Sequence, residues 1–366
     1  MLIGVPAEIK IHEYRVGMSP AGVREAVGHG HRVVVQAGAG AGIGFDDAAY
    51  RAAGAEILAG AEAVFAQAEL IVKVKEPQPV ECRRLRPGQV LFTYLHLAPD
   101  PEQADLLLDS GVTAIAYETV TDPWGGLPLL APMSEIAGRM AIQVGAACLE
   151  KERGGAGVLL SGAPGVEPAR VVILGGGVVG SNAARVALGI GAEVVVLDRS
   201  MRRLTELDTL YGPRLRTLFA TGEAIEQQLP TADLIVGAVL VPGAAAPKLI
   251  RRDQLARIRP GRVLVDVAID QGGCFETSRP TTHAAPTFVE EGVVHYCVAN
   301  MPGAVARTST LALTNATLPY VLTLADLGWQ EAARRDPHLA AGINIHTGTV
   351  AHKAVAEALG KPYQPL

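Results

Sequence analysis

Three glycines, Gly175, Gly177 and Gly180, stand as G-x-G-x-x-G directly after the apolar run Arg170–Leu174. Placed between a strand and a helix, that spacing suits a pyrophosphate. The first glycine permits the tight turn, the second lets backbone approach phosphate, and the third lets helix and strand pack closely. The helix N-terminus adds free N–H groups and a partial positive charge. The next apolar run, Glu193–Leu197, leads into Asp198, 18 residues past Gly180. A carboxylate there accepts from both ribose hydroxyls of NAD and repels the 2′-phosphate of NADP, although Arg199 and Arg203 lie close by. A second glycine cluster, Gly38 to Gly44, has glycine at every second residue. It does not fit the fingerprint and reads as a loop.

Other reactive side chains sit where short apolar runs end. Lys73 and Lys75, two of only seven lysines, share one face of the run Leu70–Val74, with Lys75 nearer its end and the better candidate for chemistry. His96 closes Val90–Leu95 and can carry protons near neutral pH. Asp270 closes Val263–Ile269 and can act as acid, base or water anchor; Asp266, inside that run, reads as structural. Arg15, soon after the first run, suits bidentate recognition of a carboxylate. The histidines show no H-E-x-x-H or other metal spacing, so no metal site is expected. The four cysteines form no C-x-x-C pair and read as buried thiols.

These residues need elements to position them. Short apolar runs alternate with helical-period segments almost throughout, the pattern of repeated βαβ units and a doubly wound α/β fold. Strands are expected at Leu2–Val5, Arg32–Val35, Leu70–Val74, Val90–Tyr94 and Thr113–Tyr117. A second series follows at Arg170–Leu174, Glu193–Leu197, Leu215–Ala220, Asp233–Val239, Arg262–Ile269 and Val293–Val298. Ser134 reads as a helix start, with one long helix over 135–153 bridging two domains. The last 60 or so residues show helix, including Ser309–Leu327 with a kink expected at Pro319, and no further strands. They are too few for a domain and should return to the first. The expected division is 1–130 plus 305–366 for substrate and catalysis, and 131–304 for the dinucleotide. In such folds ligands gather at the carboxyl ends of strands. Val239-Leu240, Asp270 and Asn300-Met301 should therefore meet the nicotinamide.

With 366 residues, 49% of them hydrophobic and 19% charged, the chain can bury two cores and is not disordered. A net charge of −5 gives no footprint for nucleic acid. No signal peptide and no apolar span long enough for a membrane are read, which makes a cytoplasmic protein the expectation.

Longer strings carry a resemblance. The most specific is Val265-Asp266-Val267-Ala268-Ile269-Asp270-Gln271-Gly272-Gly273-Cys274, with Glu276–His283 and Tyr296–Ala304 after it. Ile3–Pro6, Glu8-Ile9-Lys10, Glu13, Arg15, Tyr94–Ala98 and Gly138–Ala141 agree. The chain resembles the alanine dehydrogenase family over nearly its whole length. The resemblance implies NAD-dependent, reversible oxidative deamination of L-alanine to pyruvate and ammonium. It gives His96 and Asp270 acid–base roles, and Arg15 and Lys75 the substrate. It lines the cofactor with Ser134, the glycine loop including Val178 and Val179, Asp198, Arg203, Val239, Leu240, Val267, Asp270, Arg279, Val298, Asn300 and Met301. The family often carries a hydroxyl residue near the adenine where this chain has Ala220. A homohexamer is also implied, as is a first domain completed by the C-terminal helices. Two alternatives are the NAD(H)-binding component of proton-pumping transhydrogenase and a dehydrogenase of another small amino acid; the former has no need of the Arg15, Lys75 and His96 set.

Overall fold

The computed structural model describes residues 1–239 and 246–366. The chain forms two compact units, Met1–Met133 with Val305–Leu366, and Ser134–Ala304. It passes from the first to the second within the helix Ala131–Cys148 and returns just before the helix Ala306–Leu327.

The first unit holds an eight-stranded sheet. Its strands are β1 (Leu2–Val5), β2 (Arg32–Gln36), β3 (Glu56–Leu58), β4 (Leu70–Val72), β5 (Val90–Thr93) and β6 (Thr113–Ala116), with β14 (Ile343–His346) and β15 (Thr349–Val350) added late in the chain. The order is β15-β14-β6-β5-β4-β1-β2-β3, with β1 to β6 all parallel. The second unit holds β7 (Arg170–Leu174), β8 (Glu193–Asp198), β9 (Leu215–Phe219), β10 (Leu234–Gly237), β11 (Val263–Asp266), β12 (Thr287–Glu290) and β13 (Val293–Tyr296). Their order is β12-β13-β11-β10-β7-β8-β9, parallel except for β12. Both sheets thus run 3-2-1-4-5-6 in their parallel parts, the order of a Rossmann-like domain. Strand order reverses at β1/β4 in one and at β7/β10 in the other.

The central strands are apolar on both faces because helices cover both faces. Ile3, Val5, Leu70, Ile71 and Leu91 are buried in the first unit, and Val172, Leu174, Val195, Leu197 and Leu264 in the second.

Several elements differ from the sequence expectation. The terminal segment does contain strands: β14 pairs antiparallel with β6 and with β15. β12, likewise unexpected, pairs with β13. Both hairpins turn in two residues with positive φ, Thr347-Gly348 at 46° and 77°, and Glu291-Gly292 at 49° and 80°. That backbone is the one a two-residue hairpin needs, but neither pair is the Asn-Gly or Asp-Gly that announces it in a sequence. The bridging helix begins at Ala131, so Ser134 lies in its first turn and does not start it. Pro132 is tolerated there because early N–H groups have no helical acceptor. The helix ends at Cys148, and Lys151–Arg153 form a separate 3₁₀ turn closed by Gly154 at φ 85°. The helix expected over Ser309–Leu327 begins earlier, at Ala306, and carries Pro319 inside it as expected.

Candidate active site

In the second unit the glycine loop leaves β7 at the switch point. Gly175 has φ 102°, and a Cβ there would meet the Ala238 carbonyl oxygen at 2.8 Å. At Gly180 a Cβ would sit 1.8 Å from the Gly175 carbonyl oxygen, so only hydrogen fits. A Cβ at Gly177 would meet nothing within 4 Å. Gly177 is also the N-cap of the helix Val178–Ile190, with no side chain capping it. Open space before uncapped helical N–H groups fits a pyrophosphate. Val178 stands exposed at this turn and Val179 is buried.

Asp198 ends β8 beside the loop. Its carboxylate accepts from Gly176 N at 2.6 Å and from Ser200 N at 2.7 Å. Arg203 donates from Nε to the Gly176 carbonyl at 2.5 Å and from Nη1 to Glu206 at 2.7 Å. It therefore braces the loop. Arg199 is exposed. Ala220 follows β9 and donates its N–H to the Asp198 carbonyl.

Asp270 is not at a strand end. β11 stops at Asp266, and Asp270 lies exposed in the 3₁₀ turn Ile269–Gln271. The strand stops because Asp266, fully buried, turns its carboxylate onto the following loop. It accepts from Ala268 N at 3.1 Å, Cys274 N at 2.8 Å, Phe275 N at 3.3 Å and Ser278 Oγ at 2.5 Å. Burial pushes its carboxyl above the ordinary value against those bonds. Val267, half-buried, donates its N–H to the Gly237 carbonyl at 3.0 Å. Asn300 takes φ 59° and its carbonyl lies 3.3 Å from His283 Nε2. Val298 and Met301 are buried, and Val239 and Ser134 are half-buried. Arg279 stacks on Phe288, 4.1 Å from the ring centroid. Leu240 lies outside the described residues.

The first unit gathers charge at the same edge of its own sheet. The strands end earlier than the apolar runs suggest: β4 at Val72 and β5 at Thr93. Lys73, Lys75 and His96 therefore all lie on loops. Lys73 is fully buried between Glu8 (3.0 Å) and Glu81 (2.8 Å). Desolvation favours its neutral form, but the two carboxylates outweigh it and raise its pKa. Lys73 is thus a buried ion pair. Lys75 is more accessible, with Glu76 at 3.6 Å, and its backbone is fixed. Glu8 Oε1 accepts from Val74 N at 2.7 Å and Lys75 N at 3.3 Å, and Thr93 Oγ1 donates to the Lys75 carbonyl.

His96 adopts φ 49°, a conformation that ordinary side chains avoid. Glu118 holds it there, accepting from His96 N at 2.6 Å and Leu95 N at 3.2 Å. The ring stands exposed, stacked on Tyr94 with centroids 5.6 Å apart and Nδ1 3.8 Å from Glu118. Tyr94 is itself fixed by donating to the Leu129 carbonyl.

Arg15 is 2% exposed, and a carboxylate of this chain already takes one bidentate face of its guanidinium. Glu13 grips it bidentately, from Nε at 2.6 Å and Nη2 at 2.5 Å. Desolvation opposes its charge, but Glu13 outweighs that and raises its pKa. The carboxylates Glu8, Glu13 and Glu118 are the residues whose roles spacing does not show. Each acts on a neighbour brought close by folding or on a backbone N–H, and neither leaves a motif.

A doubly wound pair of Rossmann-like domains, one with a phosphate loop and an acidic strand end, defines the dinucleotide-binding α/β class. Its dehydrogenases use a nicotinamide cofactor. Comparison with known proteins narrows this. Residues 4–137 match the model of the alanine dehydrogenase/PNT N-terminal domain, and residues 141–353 that of the C-terminal domain. Alanine dehydrogenase of Halomonas elongata is 65% identical over 363 residues, covering 99% of this chain and 98% of that one. Alanine dehydrogenase of Bacillus subtilis is 53% identical, covering 100% and 96%. A solved L-alanine dehydrogenase structure superposes with a TM-score of 0.95 at 50% identity, covering 98% and 99%. A transhydrogenase structure from Sinorhizobium meliloti shares the fold, with a TM-score of 0.82 at 24% identity, covering 97% and 100%. The chain belongs to the alanine dehydrogenase/PNT family.

Proposed function

We propose that this chain catalyses the reversible reaction of L-alanine, NAD⁺ and water to pyruvate, ammonium, NADH and a proton. The observation that carries this reading is Arg15, Lys75 and His96 at the carboxyl edge of the first sheet, each held by a buried or half-buried carboxylate. A protein that only bound a dinucleotide would have no need of them. The close relatives named alanine dehydrogenase support the choice of substrate. Asp198 supports NAD over NADP, since a carboxylate repels a 2′-phosphate.

The bound nicotinamide supplies the acceptor for the hydride of the alanine α-carbon. The glycine loop and Asp198 would hold the cofactor, with the backbone around Val239, Asn300 and Met301 toward its other end. The chain's own groups do the rest. Arg15, its plane set by Glu13, places positive charge against the substrate carboxylate. Lys75 stabilises the oxygen that becomes anionic when water adds to the iminium carbon. His96 carries the protons gained and lost as the carbinolamine forms and releases ammonia. Asp270 orients the attacking water. The same reading carries a homohexamer acting in the cytoplasm, in amino-acid catabolism. Among the described residues no helix is long and apolar enough to cross a membrane.

The test is NADH formation by the purified chain with L-alanine, against glycine, L-serine and L-valine, and with NADP replacing NAD. Turnover should need L-alanine and NAD. Absence of turnover with alanine, or faster turnover with another amino acid, would overturn the reading.

A further inference from the structure

We propose that His29, His31 and Asp326 form a binding site for a borderline divalent transition ion, Zn²⁺ foremost. The histidines flank a turn: His29 is the C-cap of the helix Pro20–Gly28, and His31 leads into β2. Between them Gly30 takes φ 85°, which brings both rings to one side. Asp326 comes from the last turn of Ala306–Leu327, a helix that packs on Pro20–Gly28.

The geometry is close to that of a bound ion. His29 Nδ1 lies 3.1 Å from Asp326 Oδ2, and His31 Nε2 lies 2.9 Å from Oδ1. One ligand atom from each residue lies within 4.8 Å of the other two. Tetrahedral zinc with ligands at about 2.0–2.2 Å separates neighbouring ligand atoms by about 3.3–3.5 Å. Insertion of the ion therefore asks the two histidine–carboxylate contacts to open by a few tenths of an ångström and the three ligand atoms, now within 4.8 Å of one another, to close around it. Two imidazoles and one carboxylate suit this class of ion, with water completing the shell.

The surroundings agree. The side chains of His29 and Asp326 are 44% and 39% exposed and that of His31 only 7%, so the site has a solid floor and an open mouth. His31 Nδ1 lies 3.3 Å from the Met1 nitrogen, and its Nε2 edge is turned to Asp326. Among the described residues no second trio of His, Cys, Asp or Glu converges in this way. A bound ion would staple the start of the first unit to the segment that rejoins it from the far end of the chain.

The test uses the purified full chain, titrated with Co²⁺ read by its visible absorption and with Zn²⁺ read by competition with a chromogenic chelator. Wild type should bind one ion per chain with a tetrahedral Co²⁺ spectrum, and Zn²⁺ should raise its Tm. His29→Ala and Asp326→Ala should each weaken binding by at least about tenfold and abolish the Tm rise. His29 is exposed, so its variant keeps the metal-free Tm and NADH titration of wild type. Equal Zn²⁺ affinity in wild type and both variants, or no binding at millimolar Co²⁺, would overturn the proposal.

Discussion

The two units share one strand order and use it differently. After β7, at the switch point of the second sheet, the chain makes a loop of glycines whose missing side chains leave room. After β1, at the equivalent point of the first sheet, it makes a loop rich in charge: Glu8, Lys10, Glu13 and Arg15. Topology makes the carboxyl edge a platform in both, because adjacent loops diverge where strand order reverses. The side chains then decide its use. Absent Cβ atoms favour a polyphosphate backbone. Carboxylates that pin loop backbone favour a small charged substrate: Glu8 under Lys75 and Glu118 under His96.

That contrast can be broken by mutation. The largest effect should come from the acid–base groups. His96→Ala and Asp270→Ala should each lose about 10²–10⁴-fold in kcat. For His96→Ala, NADH titration should stay as in wild type if the first unit serves chemistry and the glycine loop serves binding. An active His96→Ala enzyme would dissolve the distinction. Next, Lys73→Met leaves Glu8 and Glu81 buried without their cation and should cost about 3–5 kcal/mol of stability in urea denaturation. Lys75→Ala, at a more accessible site, should change stability by less than about 1 kcal/mol while lowering turnover. Equal destabilisation by the two would show that both lysines are structural.

Gly180→Ala forces a Cβ against the Gly175 carbonyl. It should cost about 1–3 kcal/mol and weaken NADH binding, as read by NADH fluorescence. The smallest effect should be Asp198→Ala. It removes the acceptor for Gly176 N and the charge facing a 2′-phosphate, and should relax the NAD-over-NADP ratio of kcat/KM by roughly tenfold. An unchanged ratio would move cofactor choice elsewhere.

Much of the framework is legible along the chain. Runs such as Val171–Leu174 and Val194–Leu197 are uniformly apolar because both faces of a parallel strand are covered, and that composition survives in one dimension. The glycine loop is legible because its function requires an absence at fixed spacing. The strands β3, β12, β14 and β15 are not. β3, β12 and β15 are short, partly exposed edges, β14 is a short buried strand inside the sheet, and the hairpin turns at Glu291-Gly292 and Thr347-Gly348 lack Asn-Gly. The ends of β4, β5 and β11 are obscured for another reason: apolar residues continue past the last ladder hydrogen bond, where a buried polar group redirects the chain. Asp266 does so after β11.

By itself the sequence determined the two parallel sheets, the phosphate turn after β7 and the residue types available at the strand ends. These depend on local composition and on spacings of a few residues. Only the tertiary structure decided which lysine is buried, since Lys73 and Lys75 differ by whether Glu8 and Glu81 fold around them. It also showed that Arg15 is gripped by Glu13, that Glu118 holds His96 in a left-handed backbone, and that Asp326 meets two histidines nearly 300 residues away. An electrostatic partner is set by distance in space, and charge pairing leaves no period in a sequence for a reader to find.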